Sequence, residues 1–290
     1  MPASATTSQE QERPASVTPA AAPVLRVEDL VKRFDTPEGP ITAVDRVSFS
    51  VAQGELVSLI GPSGCGKSTV FNIVGGLVPM SQGRVLVNGE AIAGPHAAIG
   101  MVFQEESTFP WRTVLDNVAF PLEIAGMRKA ERIERAMHYV KLVGLDGFER
   151  RYPAELSGGM RQRVSIARAL GSAPKMLLMD EPFASLDEQT RLLLGDKVLQ
   201  IQQALKQTTL LITHNLTEAV QLSDRVLVMT YRPGRLKRAV AIDLPHPRDS
   251  EVVSSAAFGQ FVAEIWQDLR EEASRGIEDA ESRVRQQGAR

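Results

Sequence analysis

The sequence predicts an α/β fold with a mixed sheet core and an inserted helical lobe. Short apolar runs alternate with amphipathic helical patterns on both sides of a mainly helical stretch at residues 105–170. A glycine-rich turn links one of these runs, residues 55–60, to a helical pattern. The 290 residues are 43% hydrophobic and 23% charged, which indicates a globular chain with a sizeable core.

The first predicted strands differ in their burial. Residues 41–51 alternate between apolar and polar side chains, which predicts a strand with one buried face. Residues 55–60 are almost continuously apolar, as in a strand that is buried on both faces. The elements predicted after them are a helix from about Lys67 to Leu77 and strands at residues 83–87 and 98–103.

The helical lobe and the second half of the sheet come next. Val114, Val118 and Leu122 recur every four residues, which predicts a helix, and a second amphipathic helix includes Ile133 and Leu142. Further strands are predicted at residues 175–180, 208–213, 225–230 and 239–244. Strands that alternate with helices are typical of a mostly parallel sheet covered on both faces.

The two ends of the chain are predicted to lie outside the main domain, which is expected to span residues 24–247. Residues 1–23 are rich in Ala, Ser, Thr, Gln and Pro, which predicts a disordered tail rather than a secretory signal. Residues 248–290 are predicted to be a helical extension. Its apolar stripe from Phe258 to Leu269, which includes Trp266, predicts docking on the domain, and a solvated helix or frayed end is expected from Arg270 onward.

Charge, cysteine content and hydropathy exclude several classes of function. The formal net charge is −2 and the isoelectric point about 6.2, so no basic field is expected to bind nucleic acid. The single cysteine, Cys65, cannot form an internal disulfide, which fits a reducing compartment. No apolar run approaches the roughly 20 residues that a membrane span needs.

The glycine-rich turn carries the strongest functional signal. Residues 61–68 read GPSGCGKS and match the phosphate-loop pattern G-x-x-x-x-G-K-[ST] between a strand and a helix. Backbone N–H groups of such a loop and the helix N-terminus bind phosphate oxygens. Lys67 is suited to the β and γ phosphates of ATP and Ser68 to Mg²⁺. The predicted nucleotide-binding residues of the loop are Gly61, Pro62, Ser63, Gly64, Cys65, Gly66, Lys67, Ser68 and Thr69.

Two adjacent carboxylates end the predicted strand at residues 175–180. Asp180, at the strand end, is suited to hold Mg²⁺ beside the phosphate loop. Glu181 is one residue farther along and can orient the water that attacks the γ-phosphate. A pair of acids that merely ends a strand is the commoner case, but the upstream phosphate loop favours the catalytic interpretation.

Residues 156–160, LSGGM followed by Arg-Gln-Arg, resemble the signature motif of the ABC ATPases. The resemblance extends over about residues 24–247. It implies the P-loop NTPase fold in its ABC ATPase form, ATP and Mg²⁺ as ligands, and ATP hydrolysis. Further matches are the Q-loop glutamine Gln104, the D-loop residues Ser185-Leu186-Asp187, the switch histidine His214 and, at the adenine-stacking position, Phe34.

The same resemblance implies how these residues cooperate. In the family, the signature lies far from the phosphate loop of its own chain, so two copies are expected to pair head to tail. Ser157, Gly158 and Gly159 of one copy would then bind the γ-phosphate of the other copy's ATP. Gln104 would link Mg²⁺ to the helical lobe, and His214 would hold the γ-phosphate. The sequence departs from the commoner family pattern at Met160, where Gln is usual, and at Phe34, where Tyr is usual.

Finer similarity points to an importer. Residues 104–118, 181–191 and 229–248 look like those of the nitrate, sulfonate and taurine branch of ABC importers. This implies a separate integral membrane permease, an indirect partnership with a solute-binding protein, and a peripheral location at the cytoplasmic face of the membrane. An exporter subunit and a non-transport ABC ATPase are the alternatives. Trp111 is either a core residue or an anchor for the permease.

Overall fold

The computed structural model describes residues 22–37, 39–184 and 186–287, with residues 277 and 280–287 described as backbone only. Residues 1–21 of the predicted tail and Ser185 of the predicted D-loop lie outside these ranges. The elements in the described ranges are β1 (Leu25–Thr36), β2 (Gly39–Val51), β3 (Leu56–Ile60), α1 (Lys67–Val74), β4 (Gln82–Val87), β5 (Glu90–Ala91), β6 (Ile99–Val102), α2 (Val114–Ile124), α3 (Lys129–Leu142), α4 (Gly158–Gly171), β7 (Met176–Asp180), α5 (Glu188–Leu205), β8 (Thr208–Ile212), α6 (Leu216–Leu222), β9 (Arg225–Met229), β10 (Leu236–Ala241), α7 (Ser250–Val253) and α8 (Ala256–Gln287).

Two sheets form the framework. The six-stranded sheet has the order β10-β9-β3-β8-β7-β6 and is parallel except for β10, which pairs antiparallel with β9. The second sheet is antiparallel, with the order β2-β1-β4-β5. The predicted mixed sheet is confirmed, but the separate antiparallel sheet was not predicted. One of its two inner strands, β1, has several register shifts and a positive φ of 45° at Asp29, which disrupt the alternating pattern.

The six-stranded sheet is covered on both faces, as the apolar sequence of β3 predicts. Val57 and Leu59 pack in a cluster with α1 and the antiparallel sheet. Leu56 packs in the cluster of the helical lobe, and Ile60 packs with α6 and α8. Alternate side chains of one strand thus join different cores, so β3 and the loop that follows it are held from both sides.

Two predicted boundaries are wrong. The first helix, α1, ends at Val74 rather than Leu77 because Gly75 and Gly76 follow, the latter with φ +73°. The last strand, β10, spans Leu236–Ala241 rather than residues 239–244, because its register is set by antiparallel pairing with β9. The helices α2, α3 and α4 lie in the region predicted as the helical lobe.

The C-terminal helix α8 docks on β9, β10 and α6 through Phe258, Ile265 and Leu269, which are buried. Trp266, which the predicted stripe includes, is 51% exposed, so the predicted burial is wrong at this residue. The expectation of a solvated helix beyond Arg270 is wrong at Glu272, which is only 1% exposed. In the described part of the chain, no helix has the combined length and apolarity needed to cross a membrane.

Candidate active site

The phosphate loop lies between β3 and α1, where a buried strand delivers it to a helix N-terminus. Gly64 and Gly66 have φ values of +73° and +103°, a conformation that favours glycine. A Cβ atom on Gly66 would lie 2.9 Å from the carbonyl oxygen of Ala43 in β2. The loop therefore needs glycine both for its turn and for its close packing on the antiparallel sheet.

Lys67 is folded back into the loop. Its Nζ donates to the carbonyl oxygens of Gly61 (2.8 Å) and Pro62 (3.0 Å), and its side chain is buried. Cys65 is buried behind the loop, and burial raises the pKa of its thiol, so the thiol stays protonated. The ammonium is thus held within the loop by neutral acceptors, and anionic phosphate oxygens that replace them would meet a cation that is already in place.

Asp180 ends β7 beside the loop. Burial, and secondarily the charge of Glu181, raises the pKa of its carboxyl group to about 6, although Ser68 and Lys67 act in the opposite direction. Its Oδ1 is buried without a hydrogen-bond partner. A buried carboxylate oxygen without a partner, next to a serine hydroxyl, is a donor set that fits Mg²⁺ bound largely through a nucleotide's phosphates.

The pKa of Asp180 predicts a gain in stability for Asp180→Asn. The folded-state pKa is above the ordinary value, so the favourable contribution of Asp180 is present at low pH and is lost as pH rises from about 4 to 6. Ionisation at pH 8 costs the folded wild type about 1–2 kcal/mol after screening by solvent. We expect the nucleotide-free variant to unfold about 2–6 °C higher at pH 8, with a smaller gain below pH 5.

Scanning calorimetry in a chelator measures this shift. Asp35→Asn, at an exposed position of β1, makes the same change of charge and should leave the unfolding temperature nearly unchanged. An unfolding temperature for Asp180→Asn at or below that of wild type at pH 8 would contradict the stated cost of ionisation.

Glu181, His214 and Gln104 meet at the end of the sheet. Glu181 Oε2 lies 3.1 Å from His214 Nδ1 and accepts from Gln104 Nε2 at 3.4 Å. The backbone of Glu181 has φ +44°, which is rare for a residue with a side chain, and its N–H donates to the carbonyl oxygen of Ile212 at the end of β8. The two neighbouring strands β7 and β8 therefore bring the acid and the histidine together.

A cleft of about 700 Å³ joins most of the predicted residues. It contains residues of the phosphate loop, Glu181, His214 and the aromatic Phe34. Residues that the sequence interpretation missed also line it, namely Thr36, Ile41, Ala43 and Arg232. Ile41 lies opposite Phe34 in the pairing of β1 with β2, so recognition of β1 would have identified it. No motif marks Arg232, which reaches the cleft from the turn after β9.

The signature residues line a different cleft. Ser157 is the N-cap of α4, and its Oγ accepts from the Met160 N–H at 3.3 Å. Ser157 and Gly159 border a cleft of about 350 Å³ with residues of α4 and α5, and this cleft shares no lining residue with the larger one. A Cβ atom on Gly159 would lie 2.6 Å from Thr190 Cγ2, which shows how closely α4 packs on α5.

Comparison with known proteins identifies the family of this chain. The family model described as ABC transporter matches residues 44–184. An uncharacterized ABC transporter ATP-binding protein of Methanocaldococcus jannaschii is 48% identical over 244 residues, which cover 84% of this chain and 91% of that protein. This chain belongs to the ABC transporter ATP-binding proteins. It is therefore an ATPase with the P-loop fold of that family, as its sequence predicts.

Other relatives of this ABC ATPase are import proteins. The nitrate import ATP-binding protein of Synechocystis is 44% identical over 221 residues, covering 76% of this chain and 83% of its own. The taurine import ATP-binding protein of Rhizobium johnstonii is 44% identical over 232 residues, covering 79% and 88%. A solved dimeric ATP-binding cassette in a post-hydrolysis state, bound to ADP and Pi, superposes with a TM-score of 0.67 at 30% identity, covering 76% of this chain and 100% of that one.

Proposed function

We propose that this ABC ATPase couples ATP binding and hydrolysis, in a head-to-tail pair of chains, to uptake of a small solute through a separate permease. The observation that carries the pairing is the separation of the phosphate loop and the signature into two clefts. An exposed serine at a helix N-terminus, outside the nucleotide cleft of its own chain, is suited to bind phosphate that a second chain presents. The relative solved as a dimeric cassette supports this arrangement.

We assign the site residues the roles that their motifs and the resemblance to the family imply. The loop amides and Lys67 hold the phosphates, and Phe34 stacks on the adenine. Ser68, Asp180 and Gln104 would hold Mg²⁺, which neutralises phosphate charge when it is bound. Glu181 accepts the proton of the attacking water.

Hydrogen bonds fix the backbone next to His214, the residue that would hold the γ-phosphate. The preceding Thr213 donates from Oγ1 to Glu218 Oε2 at 2.6 Å and accepts from the Asn215 N–H at 3.0 Å. Burial raises the pKa of Glu218, and the Arg191 guanidinium lies 3.4 Å from its other oxygen. These contacts fix the backbone on both sides of His214, so a movement of its imidazole away from Glu181 would be a rotation of the side chain.

Gln104 connects the catalytic cleft to a surface of the helical lobe. The segment after it is bound to α4, since Glu106 pairs with Arg161 and Ser107 accepts from both terminal nitrogens of Arg168 at 2.5 Å. Its far end is locked by the buried Asn117, whose Nδ2 donates to three carbonyl oxygens of residues 109–113. A displacement of Gln104 would therefore pass along a short segment that is held at both ends.

The segment ends in an apolar patch made by Phe109, Trp111, Phe120 and Ile124. Trp111 is 72% and Ile124 73% exposed, so the interpretation of Trp111 as a core residue is wrong. The Trp111 ring lies 5.5 Å from that of Phe109, which in turn packs edge-on against Phe120 at 4.7 Å. The adjoining groove has a volume of about 440 Å³. We assign this patch to the permease, because an exposed aromatic beside an apolar groove is suited to anchor a partner helix.

Trp111→Ala tests the patch. We expect the isolated variant to hydrolyse ATP at the wild-type rate and to lose at least about tenfold in affinity for the permease, since a buried tryptophan anchor is worth about 2 kcal/mol or more. The rate of solute-stimulated ATP hydrolysis in the assembled transporter should fall as the affinity for the permease falls. The measurements are copurification with the permease and phosphate release in proteoliposomes.

Trp266→Ala is the matched control, because Trp266 is also exposed but lies on α8, away from the patch. It should retain permease binding. Equal losses for the two variants, or unchanged coupling in Trp111→Ala, would contradict the assignment of the patch.

The proposed solute class rests on the import relatives, which act on nitrate and taurine by name. We propose a small solute such as nitrate, a sulfonate or taurine, delivered to the permease by a solute-binding protein, with this subunit at the cytoplasmic face of the membrane. Stimulation of ATP hydrolysis in the reconstituted transporter by one such solute on the outer side would support import. Efflux of the solute from loaded vesicles would instead favour an exporter. A rate of ATP hydrolysis that is the same with and without a permease would favour a non-transport ATPase.

A further inference from the structure

The turn at residues 230–235, which joins β9 to β10, lies directly against the phosphate loop. The Gly234 N–H donates to the Ala43 carbonyl oxygen, and the Gly234 carbonyl oxygen accepts from the Asp45 N–H, both at 2.9 Å. A Cβ atom on Gly234 would lie 2.0 Å from the carbonyl oxygen of Cys65. Only glycine fits there, so the 230–235 turn is in backbone contact with both β2 and the loop.

Arg232 extends from this turn into the nucleotide cleft. Its Nε donates to the Gly64 carbonyl oxygen at 2.8 Å, and its side chain lines the cleft together with Phe34 and Lys67. Among the described residues no carboxylate pairs with Arg232 within salt-bridge distance. The Nε edge of the guanidinium is thus fixed on the loop, and the side chain borders the cleft that binds a polyanion as well as a groove shared with α8.

The C-terminal helix α8 holds the 230–235 turn in place. Glu272 Oε2 accepts from the Tyr231 N–H at 2.9 Å, and Tyr231 Oη donates to Asp279 Oδ2 at 3.3 Å. The Tyr231 ring lies over Gly276, where a Cβ atom would stand 3.0 Å from Cε2. The residue next to Arg232 is therefore fixed by its backbone, its ring and its hydroxyl group.

A cluster of opposite charges docks α8 on β10. Lys237 Nζ lies 2.6 Å from Glu271 and 3.2 Å from the buried Glu272, and Arg238 pairs with Glu264 and Asp268. Formation of this network requires that Glu272 lose its solvation, which two cations and a backbone N–H compensate. A buried carboxylate with that many partners is expected at a fixed junction and not on a solvated helix.

We propose that Arg232 is a nucleotide-binding residue that contacts the phosphate chain of ATP, and that Glu272 of α8 is a positioning residue that holds it there. The C-terminal helix is then part of the ATP site and sets its affinity. This goes beyond the motif residues, none of which lies after His214 in the sequence.

Arg232→Ala tests the contact. Titration of fluorescent ATP and ADP, at protein concentrations where the chain is monomeric, should show Kd values raised about tenfold for both nucleotides, because a charge-assisted contact is lost. Arg232→Lys should recover part of the affinity. Arg235→Ala is the control, since Arg235 is in the same turn but pairs with Asp45 at 2.6 Å and does not line the cleft. Wild-type Kd values for Arg232→Ala, or an equal loss for Arg235→Ala, would overturn the assignment.

A double-mutant cycle tests the role of Glu272. Glu272→Gln should raise the Kd for ATP about threefold in the wild-type background and leave it unchanged in the Arg232→Ala background, because its effect passes through Arg232. The unfolding temperature should fall by the same amount in both backgrounds. An equal loss of ATP affinity in the two backgrounds, or none in either, would show that Glu272 has only a structural role.

Discussion

Glu181→Gln is expected to bind ATP, to hydrolyse it about 10²- to 10⁴-fold more slowly than wild type, and to accumulate as an ATP-bound dimer. Glutamine has the same shape and keeps polar contacts to His214 and Gln104, but it cannot accept a proton from water. Hydrolysis would otherwise remove the γ-phosphate that holds the pair together. Phosphate release and light scattering measure the two effects.

The matched control for Glu181→Gln is Glu90→Gln, an exposed acid of β5 in the antiparallel sheet. It should hydrolyse ATP at the wild-type rate and show no persistent dimer. Hydrolysis by Glu181→Gln at the wild-type rate would remove Glu181 from the mechanism. If Glu181→Gln hydrolyses ATP slowly but stays monomeric with ATP, the result would support the catalytic role of Glu181. It would contradict the proposal that the γ-phosphate holds the pair together.

Gly158→Asp is expected to prevent ATP-dependent pairing while the monomer still binds ATP. A Cβ atom at Gly158 would lie 3.5 Å from Leu186 Cδ2, 3.8 Å from Arg161 Nη2 and 3.9 Å from Glu106 Oε1. These are ordinary contact distances, so the side chain fits in its own chain. The Ser157 cap remains, and an acid in the first turn of α4 is favourable. In the pair, the new carboxylate would face the partner's γ-phosphate, and juxtaposed like charges cost several kcal/mol. We expect the Glu181→Gln pair to dissociate at least about 100-fold more readily with this change.

Gly158→Ala is the control for this variant, because it adds the Cβ atom without the charge. Its pairing should remain close to that of the parent. Titration of fluorescent ATP should give the wild-type Kd for both variants, and light scattering with and without ATP reports pairing. Persistent pairing of Gly158→Asp would show that the signature does not contact the nucleotide.

Much of the site was predictable because it is encoded in short stretches of sequence. The phosphate loop needs only the glycines, Lys67 and Ser68 between a strand and a helix, and β3 and α1 provide that setting. Asp180 and Glu181 follow a buried strand, so their position at the sheet edge follows from β7 alone. Val47, Phe49 and Val51 are buried as the alternation in β2 predicts.

The features that escaped prediction depend on contacts distant in sequence. The register shifts in β1 interrupt the alternation of apolar and polar residues, so the strand was not predicted. The pairing that places Ile41 opposite Phe34 was therefore not predicted either. Glu272 belongs to a helix segment whose charged sequence predicts exposure to solvent. Its burial results from contacts with the 230–235 turn and β10. Arg232 carries no local signal, because it reaches the cleft only through the packing of a turn against the phosphate loop.

The central claim is that the signature of one chain completes the ATP site of the other. Two variants in the Glu181→Gln background, Lys67→Ala and Gly158→Asp, should each fail to pair with ATP. In an equimolar mixture, one composite site carries both defects and the other, formed by the loop of the Gly158→Asp chain and the signature of the Lys67→Ala chain, is intact. With differently tagged chains, we predict an ATP-dependent heterodimer on size-exclusion chromatography. A mixture that stays as monomeric as its components would contradict the claim.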